Sequence, residues 1–193
     1  GLSYLQISLF VATIYIGAMV LQYPIGWVSD RVDRRQLIFA VALLGTVAGL
    51  TGFFLDSSFT VLLAVAFVVG GTSNPMYSLL IAHTNDFLEN DDMAAASGGL
   101  IFINGIGAIS GPVITGWIMG VFGPHGFWMF IAFLMGMIAL YAAYRMTRRK
   151  TISTDDTGAY VGISPTASAL TVDAALEWSV EVAADDESFD QGQ

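Results

Sequence analysis

The sequence predicts an all-α membrane protein with about five transmembrane helices and a disordered acidic tail. Of its 193 residues, 55% are hydrophobic and only 12% are charged, whereas about a quarter of the residues in an ordinary soluble domain are charged. Five long stretches carry no charged side chain, at 5–28, 36–55, 59–82, 94–122 and 125–144. The 193 residues include no cysteine, which excludes a disulfide framework and thiolate metal sites from them.

Each uncharged stretch reaches the roughly 20 residues that a helix needs to cross about 30 Å of hydrocarbon. Backbone groups in lipid must satisfy their own hydrogen bonds, so we expect these stretches to be helices. They are apolar on all sides rather than alternating, which argues against a β-barrel. The alternative of a soluble helical core is disfavoured, because five such runs leave too little polar surface to cover them. The predicted transmembrane domain covers residues 1–150, with spans at 5–28, 36–55, 59–82, 94–122 and 125–146.

The basic residues set the predicted orientation. All seven Lys and Arg lie either between the first two spans or after the fifth, and with five spans these two places are on the same side. Because basic residues are in excess in cytoplasmic loops, we expect this side to face the cytoplasm. The acidic loop from His83 to Asp92 falls on this side too. The expected location is the plasma (inner) membrane, as a multi-pass protein.

Residues 151–193 form a segment of different composition. They hold nine of the sixteen acidic residues and no basic residue, so the net charge of -9 belongs to this segment. Such a composition predicts a disordered cytoplasmic tail, in which residues 172–184 form at most a weak amphipathic helix. No nucleic-acid partner is expected.

A charged motif lies between the first two spans. Gly26 lets another helix approach closely, and Asp30 is an acid at a helix end, where it accepts from a neighbouring helix N-terminus or pairs with an arginine. The arginines fix topology and can bind acidic partners or lipid phosphates. A tight charged turn of this kind can act as a latch that closes the cytoplasmic side. The motif reads Gly26-Trp27-Val28-Ser29-Asp30-Arg31-Val32-Asp33-Arg34-Arg35.

The motif resembles the signature loop of the major facilitator superfamily, G-x-x-x-D-R/K-x-G-R-R/K. Asp33 stands where the signature has its second glycine. In that family the loop occurs between helices 2 and 3 and, less well kept, between helices 8 and 9, so the resemblance implies helices 8 to 12 of a bacterial member. Helices 2 to 6 are the alternative within the family, and a generic basic loop is the alternative outside it. The matching positions are Gly26, Asp30, Arg31, Arg34 and Arg35.

The fourth span contains glycines and a proline that predict a helix bend. Gly107 and Gly111 form a small-residue face for close packing, and Pro112 removes a backbone donor. The stretch resembles the G-x-x-x-G-P-x-x-G pattern of helices 5 and 11 in the same superfamily. Structural packing and a conformational role in transport both fit this pattern.

Polar residues within the spans are the candidates for substrate contact. The third span is interrupted by a polar stretch with Asn74 and Tyr77 near its middle, and polar groups at membrane depth are costly unless they face a cavity or a partner helix. Asn104 and Gln22 are further candidates, although interhelical hydrogen bonding, or for Gln22 support of the latch loop, explains them as well. His83 and Asp86 are interpreted as a solvated helix end rather than a proton relay.

The resemblance implies a twelve-helix transporter made of two six-helix halves, with a small-molecule substrate bound between them. This chain is then a C-terminal fragment whose partners are the lipid bilayer and the N-terminal half. The rival function is a non-transporting membrane scaffold or sensor with an acidic docking tail. No enzyme, cofactor or metal site is expected, because neither a Walker loop nor a catalytic or metal-ligand spacing occurs.

Overall fold

The computed structural model describes residues 2–55, 58–87 and 90–148, together with Ala174 and Trp178. The described residues form five α-helices, all long and apolar enough to cross a membrane, and contain no strand. The prediction of an all-α protein with five membrane-spanning helices is therefore confirmed. The helices are α1 (Tyr4–Ser29), α2 (Arg34–Phe54), α3 (Phe59–Asn85), α4 (Asn90–Phe122) and α5 (His125–Arg148).

The helix ends differ from the predicted spans around the third connection. Helix α3 continues through His83 to Asn85, and α4 begins at Asn90. The predicted bounds of this loop, His83 to Asp92, are therefore wrong, because only residues 86–89 lie between the two helices. A helix is free to continue beyond its apolar stretch, since polar side chains there reach water while the backbone hydrogen bonds persist.

Most of the predicted tail lies outside the described residues. Ala174 and Trp178 are both helical and exposed, and they fall within the weak amphipathic helix predicted for residues 172–184.

Helices α2 and α5 form an antiparallel pair at the centre of the bundle. Gly52 lies against Trp128, Gly49 lies against the backbone of Ala132, and a Cβ on Gly45 would come within 3.1 Å of the Met135 side chain. Helices in lipid gain little from the hydrophobic effect, so close van der Waals packing at small residues holds such a pair together.

Two buried hydrophobic clusters extend this pair toward α3. One lies at the end of the bundle where α2 begins and α5 ends, which we call the motif end. The other lies toward the opposite end. The first cluster contains Ile38, Val41, Ala42, Met76, Leu79, Met135, Ala139 and Ala142. The second contains Ala48, Val65, Val69 and Trp128, with Phe10 of α1 packed against it.

Helices α1 and α3 approach each other so closely that their backbones touch. A Cβ on Gly17 would overlap the carbonyl of Phe67, and a Cβ on Gly70 would overlap the carbonyl of Ile14. Only glycine leaves room for this approach, which brings the polar stretch of α3 against α1.

Helix α4 is the least covered element of the described structure. Its principal neighbour is α5, where a Cβ on Gly126 would lie 2.9 Å from Cγ2 of Ile118. The helix runs without interruption through Pro112. Apart from neighbouring parts of α4 itself, no described atom lies within 4 Å of a Cβ built on Gly107 or Gly111, so the close packing predicted for this face has no partner among the other described helices.

The α1–α3 contact can be tested by adding a single methyl group. We expect Gly70→Ala to lower the free energy of unfolding by about 1–3 kcal/mol, because the methyl group forces the two backbones apart. Gly136→Ala is the matched control, since its Cβ would lie 3.6 Å from the Thr46 side chain at ordinary contact distance. The measurement is thermal unfolding in detergent; equal melting temperatures for the two variants would contradict the close approach.

Candidate functional site

The charged motif is a tight turn between α1 and α2. Helix α1 ends at Ser29, with Asp30 as its C-cap, and α2 begins at Arg34, with Asp33 as its N-cap. The Asp33 carboxylate accepts a hydrogen bond of 2.9 Å from the backbone N–H of Arg35. The acid that departs from the signature thus satisfies one of the open donors at the start of α2.

Arg34 is the centre of the site. It is only 2% exposed, and its guanidinium contacts residues of α1 and α3. Nε donates to Ser29 Oγ at 3.2 Å, and Nη1 donates to the Ala82 carbonyl at 3.3 Å and to the carboxylate of Asp86. Because Ser29 ends α1 and Ala82 lies near the end of α3, these contacts show that α1 and α3 run parallel and meet at the motif end.

Arg34 and Asp86 form a buried ion pair. The Asp86 side chain is only 3% exposed, and Asp30 Oδ1 lies 3.7 Å from Arg34 Nη2 with 42% of its own side chain exposed. A buried charge is costly unless it is paired and its other donors are satisfied. Here Arg34 also donates hydrogen bonds to Ser29 and to the Ala82 carbonyl, which satisfy its other donors. The arginine therefore holds the start of α2 against the ends of α1 and α3.

The interpretation of Asp86 as a solvated helix end is wrong, because its carboxylate is buried against Arg34. The two residues are 52 positions apart in the chain, and no local pattern connects them. Ser29 was not singled out as a functional residue either. His83 is half-buried beside Asp86, with its ring centroid 5.1 Å from that of Phe87.

The remaining arginines of the motif make local contacts. Arg31 folds back on α1, where Nη1 donates to the Trp27 carbonyl at 2.9 Å and the guanidinium lies 3.9 Å from the Trp27 ring centroid. Arg35 is buried, with Nε 3.5 Å from Asp33 Oδ1. Of the five predicted latch residues, the structure thus joins Asp30 and Arg34 directly, while Gly26 is buried at the end of α1.

The candidates for substrate contact are all half-buried. The Asn74 side chain donates a long hydrogen bond of 3.4 Å to the Gly70 carbonyl of its own helix, and Tyr77 follows one turn later. Gln22 lies on α1, which packs closely on α3, whereas Asn104 lies on the less covered α4.

Ser73 is a polar residue that the sequence analysis did not single out as a candidate. Its hydroxyl is buried without a hydrogen-bond partner among the described residues, next to Asn74. A buried hydroxyl without a partner is unfavourable, and a bound ligand is one means of satisfying it.

Comparison with known proteins places the chain among membrane transporters. The sequence model of the Major Facilitator Superfamily matches residues 1–178, which extends past the predicted end of the transmembrane domain at residue 150. An uncharacterised MFS-type transporter of Bacillus subtilis, YfkF, is 26% identical over 72% of this chain and 36% of its own length. No solved structure matches the chain significantly.

Two further relatives carry names that state a solute. The benzoate transport protein of Acinetobacter baylyi is 24% identical over 69% of this chain and 29% of its own length. Monocarboxylate transporter 14 of the mouse is 30% identical over 69% of this chain and 31% of its own length. The chain therefore spans only about a third of the length of the curated relatives it matches.

The buried ion pair predicts a large difference between two conservative substitutions. We expect Asp86→Asn to lower the free energy of unfolding by about 3 kcal/mol, because it leaves the Arg34 charge buried without its main partner. Asp30→Asn is the matched control and should cost no more than about 1 kcal/mol, because that carboxylate is partly exposed and more distant. Thermal unfolding in detergent measures both, and equal losses of stability would show that Asp86 does not anchor Arg34.

Proposed function

Because the chain belongs to the major facilitator superfamily, we propose that it is part of a secondary transporter that moves a small solute across the membrane by alternating access. The observation that carries this proposal is the family match over residues 1–178, together with five helices able to span a membrane. Members of this family are transporters rather than enzymes. Neither the comparisons nor the fold favours the rival function of a scaffold or sensor.

We infer that the chain is the C-terminal part of the transporter, with helices α1 to α5 as helices 8 to 12. Asp33 replaces the second glycine of the signature. This departure supports assigning the turn to the less well kept copy of the loop, between helices 8 and 9. The N-terminal half is the proposed partner that completes the substrate cavity. The match covers only 36% of the Bacillus subtilis relative's length, which is consistent with this division.

The motif end is proposed to face the cytoplasm of a plasma (inner) membrane. Its arginines lie beside aromatic rings, as is typical of residues at a membrane–water interface. Arg31 lies over Trp27, Arg145 lies 5.9 Å from the Tyr141 ring centroid, and Arg148 lies 5.5 Å from that of Tyr144.

The turn from Asp30 to Arg35 is proposed to hold the cytoplasmic side closed. Arg34 is immobilised by Asp86 and Ser29, and it holds the carboxylate of Asp30 at the surface of the bundle. A rigidly placed, partly exposed acid is suited to accept hydrogen bonds from the N-terminal half in one state and to release them in the other. The latch then depends on Asp30, and its support depends on Asp86.

Substrate is proposed to bind along the middle of α3, at Asn74 and Tyr77, with Ser73 as an additional contact. Gln22 and Asn104 are the further candidates on α1 and α4. Small carboxylates are the first solutes to test, because benzoate and monocarboxylate appear in the names of two relatives.

The transport function and the latch are tested together in the full-length transporter, reconstituted in proteoliposomes with radiolabelled benzoate and short monocarboxylates. We expect Asp30→Asn to reduce the initial uptake rate about tenfold or more, which corresponds to about 1.4 kcal/mol of lost stabilisation. Membrane insertion should be unchanged. Asp33→Asn is the control in the same turn, because asparagine caps a helix as well as aspartate does.

Wild-type uptake by the Asp30→Asn variant would refute the latch, although transport itself would stand. Failure of the wild-type protein to move any solute of a broad panel, although folded and inserted, would instead favour the scaffold function.

The binding site is tested by removing one hydroxyl. We expect Tyr77→Phe to raise the KM for these carboxylates about tenfold or more, because a lost hydrogen bond to a charged group costs about 1.5–3 kcal/mol. Tyr23→Phe removes the same hydroxyl from a side chain that is 80% exposed and should leave KM unchanged. An unchanged KM for both variants would exclude the Tyr77 hydroxyl from the site.

A further inference from the structure

The last two turns of α5 carry two arginines, each of which lies over a tyrosine one turn earlier. The Arg145 guanidinium lies 5.9 Å from the Tyr141 ring centroid, and that of Arg148 lies 5.5 Å from the Tyr144 ring centroid. These four residues occupy positions i, i+3, i+4 and i+7, which share one side of a helix. We call this side of α5 the arginine–tyrosine face.

The arginine–tyrosine face points away from the other described helices. Ala139 and Ala142, on the opposite side of α5, are buried in the first hydrophobic cluster together with residues of α2. Tyr141, Tyr144 and Arg148 are all exposed. No helix in the described part of the chain therefore covers this face at the motif end.

The two arginines of this face have no carboxylate partner among the described side chains. Arg34 of the charged motif is paired with Asp86. Arg145 is half-buried and Arg148 is exposed, and neither guanidinium forms an ion pair or donates a hydrogen bond to a described residue. Because no acidic residue occurs at positions 93–154, neighbouring positions in the sequence cannot neutralise them either.

An arginine that lies over an aromatic ring keeps its hydrogen-bond donors available. The ring face attracts the cation, while the guanidinium N–H groups form a planar fork that points outward. This fork matches two oxygens of a phosphate group, and the hydroxyl of a neighbouring tyrosine can donate a further hydrogen bond. The arginine–tyrosine face thus presents several donors to one phosphate group and positions them through the two rings.

The surface next to this face indicates that the phosphate belongs to a lipid. Phe133, Met137 and Leu140 continue the same side of α5 toward the middle of the helix, and all three are exposed, Leu140 by 74%. Tyrosine is enriched where a membrane-spanning helix reaches the headgroup level. A phospholipid would therefore contact the donors with its headgroup and the apolar residues with its acyl chains.

We propose that the arginine–tyrosine face of α5 binds the headgroup of an anionic phospholipid, with Arg145 and Arg148 donating hydrogen bonds to the phosphate oxygens. The two uncompensated cations favour an anionic lipid over a zwitterionic one, because the zwitterionic headgroup brings an amine of their own charge. The proposal goes beyond the proposed function and does not depend on it, since it requires only that α5 spans a membrane.

Native mass spectrometry of the full-length transporter tests the proposal. The protein is purified in detergent and titrated with phosphatidylglycerol or with phosphatidylcholine, and the number of bound lipids is counted. We expect the wild-type protein to prefer phosphatidylglycerol. The Arg145→Gln/Arg148→Gln variant should lose one tightly bound phosphatidylglycerol, whose affinity falls about tenfold or more, because each arginine near the headgroups contributes about 1 kcal/mol.

Two control variants distinguish a specific site from a general attraction between charges. Arg149→Gln/Lys150→Gln removes the same charge from adjacent positions of the sequence and should leave the lipid bound. Arg145→Lys/Arg148→Lys keeps the charge but lacks the planar fork, so it should lose most of the binding. Equal losses in the two glutamine variants, or full binding by the lysine variant, would overturn the proposal.

Two further measurements distinguish the lipid from other anionic occupants. Inorganic phosphate in excess should not displace the phosphatidylglycerol, because it lacks acyl chains to contact Phe133 and Leu140; displacement would indicate a site for the free anion and refute the lipid. The acidic residues after Thr154 are the other rival. If phosphatidylglycerol binds only after residues 155–193 are deleted, then this acidic segment occupies the face and the proposal is wrong.

Discussion

The burial of the Arg34 guanidinium is the constraint on which the motif end depends. An arginine cannot shed its charge, so the fold must supply a carboxylate and enough acceptors in a place closed to water. Asp86, Ser29 and the Ala82 carbonyl meet this requirement from two other helices. The ends of α1 and α3 and the beginning of α2 are thereby fixed to one another, and the turn between α1 and α2 is presented in one conformation.

Close contact at small residues serves the same purpose along the rest of the bundle. In lipid, apolar side chains gain little by exchanging lipid for protein, so contact area and backbone approach decide which helices associate. The glycines of α1 and α3 and those of α2 occur where a neighbouring helix approaches most closely. The buried ion pair and the glycine contacts thus act at different depths of the same structure.

The sequence by itself determined the number of helices, their membrane-spanning character and the family, because these follow from runs of uncharged residues and from a motif of fixed spacing. It also located the charged turn, since Asp30 and Arg34 are four residues apart and local patterns predict local contacts. Only the tertiary structure decided that Asp86 pairs with Arg34, because the two residues are 52 positions apart. The residues next to Asp86 in the sequence do not show whether its carboxylate is solvated or buried against such a distant partner. The exposure of Gly107 and Gly111 on α4 was equally hidden, since a glycine pattern predicts close packing without stating which helix supplies the contact.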